Sequence, residues 1–242
     1  MERINKFLAS CELGSRRNVE KLVLEGKVTV NGHICTDLAT MIDPLNDHVE
    51  VNHIVVTQKK QKIFVMLNKP QKYVVTKSDE FQRKTIYDLL PDFAKPLHPI
   101  GRLDYDSEGL LLLTNDGNIT NKVTHPSFEI EKTYKVIVKG HIGKEDLEKL
   151  RTGVQLDDFK TQPAKVFLKK TTVEMSELKI TITEGKNRQV RRMFEAIEHE
   201  VISLKRIQVG EIKLLKLPIG TWRFLTDKEV LYLVKLPSTP TR

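Results

Sequence analysis

Two stretches of this 242-residue chain carry side chains whose types and spacing could do chemistry. The first is Gly101-Arg102-Leu103-Asp104-Tyr105-Asp106-Ser107-Glu108-Gly109, followed by the apolar run Leu110 to Leu113 and then Asn115-Asp116-Gly117. A carboxylate on a loop anchored by a buried strand can act as nucleophile or general base, and Asp104 with Glu108 could divide acid and base roles as glycosidases do. Plain solvated loop acids are the ordinary alternative. The second stretch is Glu184-Gly185-Lys186-Asn187-Arg188-Gln189-Val190-Arg191-Arg192-Met193-Phe194. Val190, Met193, Phe194 and Ile197 make one apolar helical stripe, and Arg188, Arg191 and Arg192 fall on another face at i, i+3, i+4. Such a face is either solvated or meets phosphate, and an arginine brought beside a carboxylate lowers its pKa by roughly 1–3 units.

The elements that must position these groups follow from pattern. Four apolar residues bounded by turn formers predict a buried strand at Leu110 to Leu113, a buried helix segment being the alternative, with Asp104 on the loop before it and a turn at Asp116-Gly117. Ile63 to Leu67 and Tyr73 to Thr76 read as strands, Thr85 to Leu90 as a short helix stopped by Pro91, and Asn118 to Val123 as helix. Glu131 to Lys139 alternates, with Tyr134, Val136 and Val138 on one face. Leu147 and Leu150 share a helix ending at Gly153, and Pro163 to Lys170 and Glu177 to Glu184 are two more alternating runs. Thr226-Asp227-Lys228-Glu229 is a capping box opening a last helix through Leu233. Mostly antiparallel strands with interspersed helices predict an α+β fold.

The N-terminal part is separate. Ile4, Phe7, Leu8 and Cys11 form one amphipathic stripe; Ser15 N-caps a second helix from Arg16 to Glu25, stopped by Gly26; Lys27 to Ile34 is a hairpin around Asn31-Gly32. The polar run Gln58-Lys59-Lys60-Gln61-Lys62 reads as a linker. The expected division is therefore residues 1–57, a linker at 58–62, a larger domain at 63–236 and a frayed tail at 237–242.

Composition narrows the function classes. Lys and Arg number 40 against 32 Asp and Glu, a net charge of +8 and a pI near 9.3, which favours a polyanionic partner. Cys11 and Cys35 form no metal or redox motif, and no Gly-rich phosphate loop is present. Only 6% of residues are aromatic, with one Trp, which is poor equipment for stacking sugars in a hydrolase. Met1 to Lys6 lacks the apolar core of a signal peptide, so a cytoplasmic setting is expected.

The stretch from Gly101 to Gly117 closely resembles the signature of the RsuA/RluB/RluE/RluF family of RNA pseudouridine synthases, with Ser107 where many members carry Thr. Gly185-Lys186-Asn187-Arg188-Gln189-Val190-Arg191-Arg192-Met193 resembles the family's later motif, and Lys69-Pro70, Leu204 to Gly210 and Leu217 to Arg223 match further segments. The two N-terminal helices and hairpin, through Arg3, Phe7, Leu8, Ser15, Arg16, Arg17, Gly26, Val28, Val30, Asn31 and Gly32, resemble the RNA-binding module named for ribosomal small-subunit protein four.

The resemblance implies a catalytic carboxylate at Asp104, a base-stacking ring at Tyr134 and an arginine partner for Asp104 at Arg191, with Arg188 or Arg192 as the alternative partner or as RNA contacts. It implies base packing by Leu204 and RNA contacts from Arg3, Ser15, Arg16, Arg17, Lys69, Arg102, Lys186, Arg188, Arg192 and Arg206. It implies no metal and no cofactor, a ribosomal RNA or subunit precursor as partner, and a monomer. The two-domain layout leans to the large-subunit (RluB-like) branch, with small-subunit RNA as the near alternative. A non-catalytic RNA-binding assembly factor would share the basic patches without needing Asp104. A carboxylate at this point has three routes open: attack at ribose carbon-1′, attack at uracil carbon-6, or removal of the carbon-2′ proton.

Overall fold

The computed structural model describes residues 1–11, 13–58, 61–237 and 239. Residues 59 and 60 of the expected linker, and 238 and 240–242 of the expected tail, lie outside the described residues. The chain divides into two units, Met1–Lys62 and Ile63–Arg242, each with its own core.

The first unit runs β1 (Glu2–Arg3), α1 (Ile4–Ser10), α2 (Arg16–Leu24), β2 (Val28–Val30), β3 (His33–Cys35), β4 (Met41–Ile42), β5 (Val49–Val51) and β6 (Ile54–Val55). Ser15 caps α2 by accepting from the Asn18 amide at 3.3 Å. Asn31 and Gly32 both take positive φ, the geometry of the two-residue turn that the right-handed strand twist favours. The stripe Ile4, Phe7 and Leu8 packs on Val19, Val23 and the strand residues Val28, Val49 and Val51.

The second unit runs β7 (Phe64–Lys69), β8 (His98–Pro99), β9 (Glu108–Thr114), α3 (Gly117–Thr124), β10 (Lys132–Lys139), α4 (Lys144–Thr152), β11 (Lys165–Thr171), β12 (Met175–Ile182), α5 (Gln189–Glu195), β13 (Val201–Val209), β14 (Ile212–Lys213), β15 (Trp222–Phe224) and α6 (Asp227–Val234). Among the described residues its sheet has the order β11-β12-β10-β13-β9-β7-β15, with β14 on β13 and β8 on β9. All these pairs are antiparallel except β9 with β13.

Both sheet faces are covered, which is why Leu110 to Leu113 is a continuous apolar run rather than an alternating one. Leu111 and Leu113 join Val65, Leu67 and the apolar residues of α4 and α5; Leu110 and Leu112 join Met66 and those of α3 and α6.

Three local expectations are corrected. Asp116-Gly117 makes no hairpin turn: Asp116 N-caps α3, accepting from Asn118 and Ile119, and Gly117 needs no positive φ. A side chain that can turn a chain can equally cap a helix, and the following apolar periodicity decides. Tyr73 to Thr76 forms no strand, only a single bridge from Val74 to Thr85. The helix after Thr85 is a 3₁₀ turn, Ile86–Leu89, closed by a Thr85–Asp88 capping box.

Candidate active site

The register of the sheet builds the floor of the site. Lys69 lies opposite Gly109, Gly109 opposite Arg206, Arg206 opposite Tyr134 and Tyr134 opposite Ile180, one row across five strands. An extra residue in β13, Ile207, sits where the pairing shifts between Thr133 and Tyr134, and this brings Arg206 opposite Tyr134. Gly109 is required where the two parallel strands meet. A Cβ there would overlap the Arg206 carbonyl, and its φ of +110° suits glycine alone.

Above this row the loop bearing Asp104 is held by its own backbone carbonyls. The buried Lys69 ammonium donates to the carbonyls of Pro70 (3.0 Å), Asp104 (3.0 Å) and Ser107 (2.8 Å). The buried Arg206 donates from Nε to the Leu110 carbonyl (2.7 Å) and from Nη1 to that of Arg102 (3.3 Å). Arg191, also buried, donates from Nη2 to the Asp106 carbonyl (3.0 Å) and from Nη1 to that of Val201 (3.1 Å). Three cations thus grip alternating points of one loop, and charge-assisted bonds of this kind are the stronger class. Burial pushes the Lys69 amine down to about 8, against the opposing pull of Asp104, Asp106 and Glu108.

These contacts correct the expected roles of Lys69 and Arg206. Both are buried and bonded to the protein's own backbone rather than exposed at the surface, Arg206 in the wall of the adjoining cleft. They also correct the expected Asp104 partner. Arg191 Nε lies 3.2 Å from Asp106 Oδ2, without hydrogen-bond alignment, and Arg188 Nη1 lies 3.2 Å from both Asp106 oxygens. The acid two residues beyond Asp104 receives both arginines.

The expected shared face of Arg188, Arg191 and Arg192 is not formed either. Arg188 is the N-cap residue of α5 in the left-handed region (φ 47°), Arg191 points inward, and Arg192 pairs with Asp158. Glu108 pairs with Lys205 at 3.4 Å and does not line the cleft, so Asp104 and Glu108 are not a facing carboxylate pair.

A cleft of about 610 Å³ opens beside this loop. Its walls bring together Asp104, Tyr134, Leu204, Arg206, Arg102, Lys186 and Arg188 from the expected set. Tyr134 and Leu204 are buried against the sheet core, whereas Arg102, Lys186 and Arg188 are exposed at the surface. The Lys186 ammonium sits 3.3 Å from the Phe159 ring centroid, and Arg192 lies over the same ring at 5.6 Å. The loop before Thr85 contributes Asp79, Phe81 and Arg83, tied by an Asp79–Arg83 ion pair of 2.6 Å. In the first unit Arg3, Ser15, Arg16 and Arg17 are all exposed, the last three at the start of α2.

Residue patterns missed three participants. Asp106 read as a solvated acid, although its spacing from Asp104 puts it in the same turn. Ser107 is buried, and its Oγ has no hydrogen-bond partner among the described residues. Lys132 is buried in the cleft wall, and its spacing of two residues from Tyr134 on a strand was the available signal.

Residues 63–196 match the family model described as RNA pseudouridylate synthase, and residues 2–49 match the S4 domain model. The chain is 46% identical to ribosomal large subunit pseudouridine synthase B of Bacillus subtilis, over 95% of this chain and 94% of that protein. It is 39% identical to an uncharacterized RNA pseudouridine synthase of Aquifex aeolicus, over 96% and 94% of the two chains. A crystal structure of a pseudouridylate synthase superposes with a TM-score of 0.69 at 31% identity, covering 96% of this chain and all of that one. A carboxylate loop locked by buried cations beside an aromatic-lined cleft, with family matches over nearly its whole length, establishes that this chain belongs to the RNA pseudouridine synthase family.

Proposed function

We propose that the chain converts a specific uridine of large-subunit ribosomal RNA to pseudouridine, acting as a monomer in the cytoplasm without metal or cofactor. The observation that carries this reading is the cleft in which Asp104, Tyr134 and Leu204 converge above the sheet row. The large-subunit substrate rests on the 46% identity to the Bacillus subtilis enzyme of that name. Among the described residues no helix is long and apolar enough to cross a membrane.

In this reading the target base leaves its stack and enters the cleft. Tyr134 stacks on the ring and Leu204 packs against it. Asp104 supplies the carboxylate that acts at the sugar or the ring, held in place because Lys69, Arg206 and Arg191 clamp its loop. Arg191 acts on Asp104 through that loop and through Asp106. Arg102, Lys186, Arg188 and Arg192 meet phosphates around the mouth, and Arg3, Ser15, Arg16 and Arg17 of the first unit bind RNA elsewhere on the substrate. Residues 1–57 serve as the RNA-binding domain and 63–236 as the catalytic domain.

Mapping pseudouridine in ribosomal RNA from a deletion strain tests the reading. One large-subunit site should disappear and return with the wild-type gene but not with Asp104→Asn. Loss of a small-subunit site instead would reassign the substrate, and an unchanged map would overturn the enzymatic reading.

A further inference from the structure

The cleft contains a cation that the roles above leave unused. Lys132 opens β10, two residues before Tyr134 and therefore on the same face of the sheet. It is buried, with 8% of its surface exposed, and it lines the cleft together with Tyr134, Ile182, Leu204 and Val209. Ile182 and Val209 are its partners on the flanking strands, so its surroundings there are apolar. Its ammonium donates to one acceptor, the Thr183 carbonyl at 3.1 Å. Among the described residues no carboxylate pairs with it; the charged neighbour that it feels is Arg206, another cation. An ammonium carries three donors, so two N–H groups remain for whatever fills the cleft. A buried cation with apolar neighbours, no counter-ion and spare donors is costly in the empty protein. A ligand that brings negative charge to the cleft would offset that cost.

The reaction generates such charge. When the bond from ribose carbon-1′ to uracil nitrogen-1 breaks, its electron pair stays on nitrogen-1, and the negative charge spreads over the ring to the carbonyl oxygens O2 and O4. Attack at carbon-6 likewise pushes electrons onto a ring carbonyl oxygen. The ring then turns, carbon-5 bonds to carbon-1′, the carbon-5 proton leaves, and nitrogen-1 takes up a proton. Resting on the assignment of this cleft as the pseudouridine site, we infer that Lys132 is a further catalytic residue whose Nζ donates to a carbonyl oxygen of the uracil ring and stabilises the negative charge that the ring carries while detached or attacked. A preorganised donor aimed at developing charge in a dry site is the largest single device available to an enzyme. Tyr134 holds the face of the ring, and Lys132, one strand repeat away, meets its edge.

Leaving-group chemistry separates this role from a structural one or a phosphate contact. Full-length enzyme is assayed in single turnover on large-subunit RNA transcripts made with uridine or with 5-fluorouridine, scoring loss of the starting nucleotide at the target position. Fluorine withdraws electrons and stabilises the ring anion by itself, so the fluorinated substrate needs the ammonium less. Lys132→Met should slow conversion of uridine RNA by about 10²–10³-fold, the effect of removing one such donor. RNA affinity should change by less than about threefold, since a group acting only on developing charge leaves ground-state binding intact. The defect should be about tenfold or more smaller on 5-fluorouridine RNA. Lys132→Gln, which keeps a donor for the Thr183 carbonyl, repeats the test should the Met variant not fold. An equal defect on both RNAs, or a loss confined to affinity, overturns the proposal. The wild-type rate on uridine RNA tests the parent assignment separately, since its absence would remove the reaction and not merely the role of Lys132.

Discussion

Asp104 stands on a loop whose carbonyls at Arg102, Asp104, Asp106 and Ser107, with that of Leu110 in the following strand β9, are each held by a buried cation. The carboxylate is therefore positioned from behind, through backbone, while its oxygens stay available to the cleft. Asp104→Asn keeps this scaffold and removes the reactive oxygen, so turnover should vanish while RNA affinity, measured by filter binding, stays within a few fold. Glu108→Gln, whose side chain faces Lys205 and not the cleft, should leave turnover near wild type, and its loss would revive a two-carboxylate mechanism. Arg191→Leu removes a grip on the loop and strips Asp106 of a partner. Arg191 is buried but the Asp106 side chain is 43% exposed, so the main loss is the charge-assisted bond to the loop carbonyl, about 1.5–3 kcal/mol. We expect the single-turnover rate to fall by ~10–10²-fold, with RNA affinity nearly unchanged. Arg188→Leu, whose contact to Asp106 is exposed, should cost far less rate.

At the scale of elements, the parallel contact between β9 and β13 is the point on which the site depends. Gly109→Ala drives a methyl group into the Arg206 backbone and imposes strain at a positive φ, worth ~1–3 kcal/mol by itself. Denaturant unfolding should show a loss of about 3 kcal/mol or more, well above the usual ~1 kcal/mol for a point substitution. Wild-type stability in the variant would mean that the strands can separate there without consequence. Burial of Lys69 and Lys132 in this sheet also has a pH signature. Each amine is pushed down to about 8 from an ordinary 10.5, so each takes up a proton on unfolding between those values. A state that binds more protons when unfolded gains stability as pH rises, by up to ~1.4 kcal/mol per pH unit for each group. Between pH 8 and 10.5, stability of Lys69→Met or Lys132→Met should rise less steeply with pH than that of the wild type. Parallel curves would show that these amines are not proton-depleted in the fold.

At the scale of the whole molecule, the two units have separate cores, so removal of residues 1–62 should leave the second folded. Activity on ribosomal substrate should then fall mainly through apparent affinity. Arg16→Ala with Arg17→Ala should weaken RNA binding and flatten its salt dependence by a slope of about 0.7–0.9 for each phosphate contact removed. An unchanged slope would assign the exposed start of α2 to something other than RNA backbone.

Much of this architecture is legible in local sequence because its causes are local. The Asn31-Gly32 turn, the Ser15 and Thr226 caps and the alternating face of β10 each depend on a few adjacent residues, and each forms as the pattern predicts. The sequence also determined that Asp104 precedes a doubly buried strand, since Leu110 to Leu113 is apolar without alternation. The environment of the charges was decided elsewhere. Lys69 and Ser107 are 38 residues apart in the chain, and Arg206 and Leu110 are 96 apart, yet each pair is hydrogen-bonded. A lysine at a strand end is solvated unless another strand covers it, and an arginine in a basic helix is a surface group unless the helix turns it inward. Those outcomes depend on strand order, on the register that aligns Lys69, Gly109, Arg206 and Tyr134, and on the extra residue in β13. Local pattern dictates which residues form a strand; only the packed sheet decides which charges face one another across it, because burial and pairing are properties of the assembled neighbourhood.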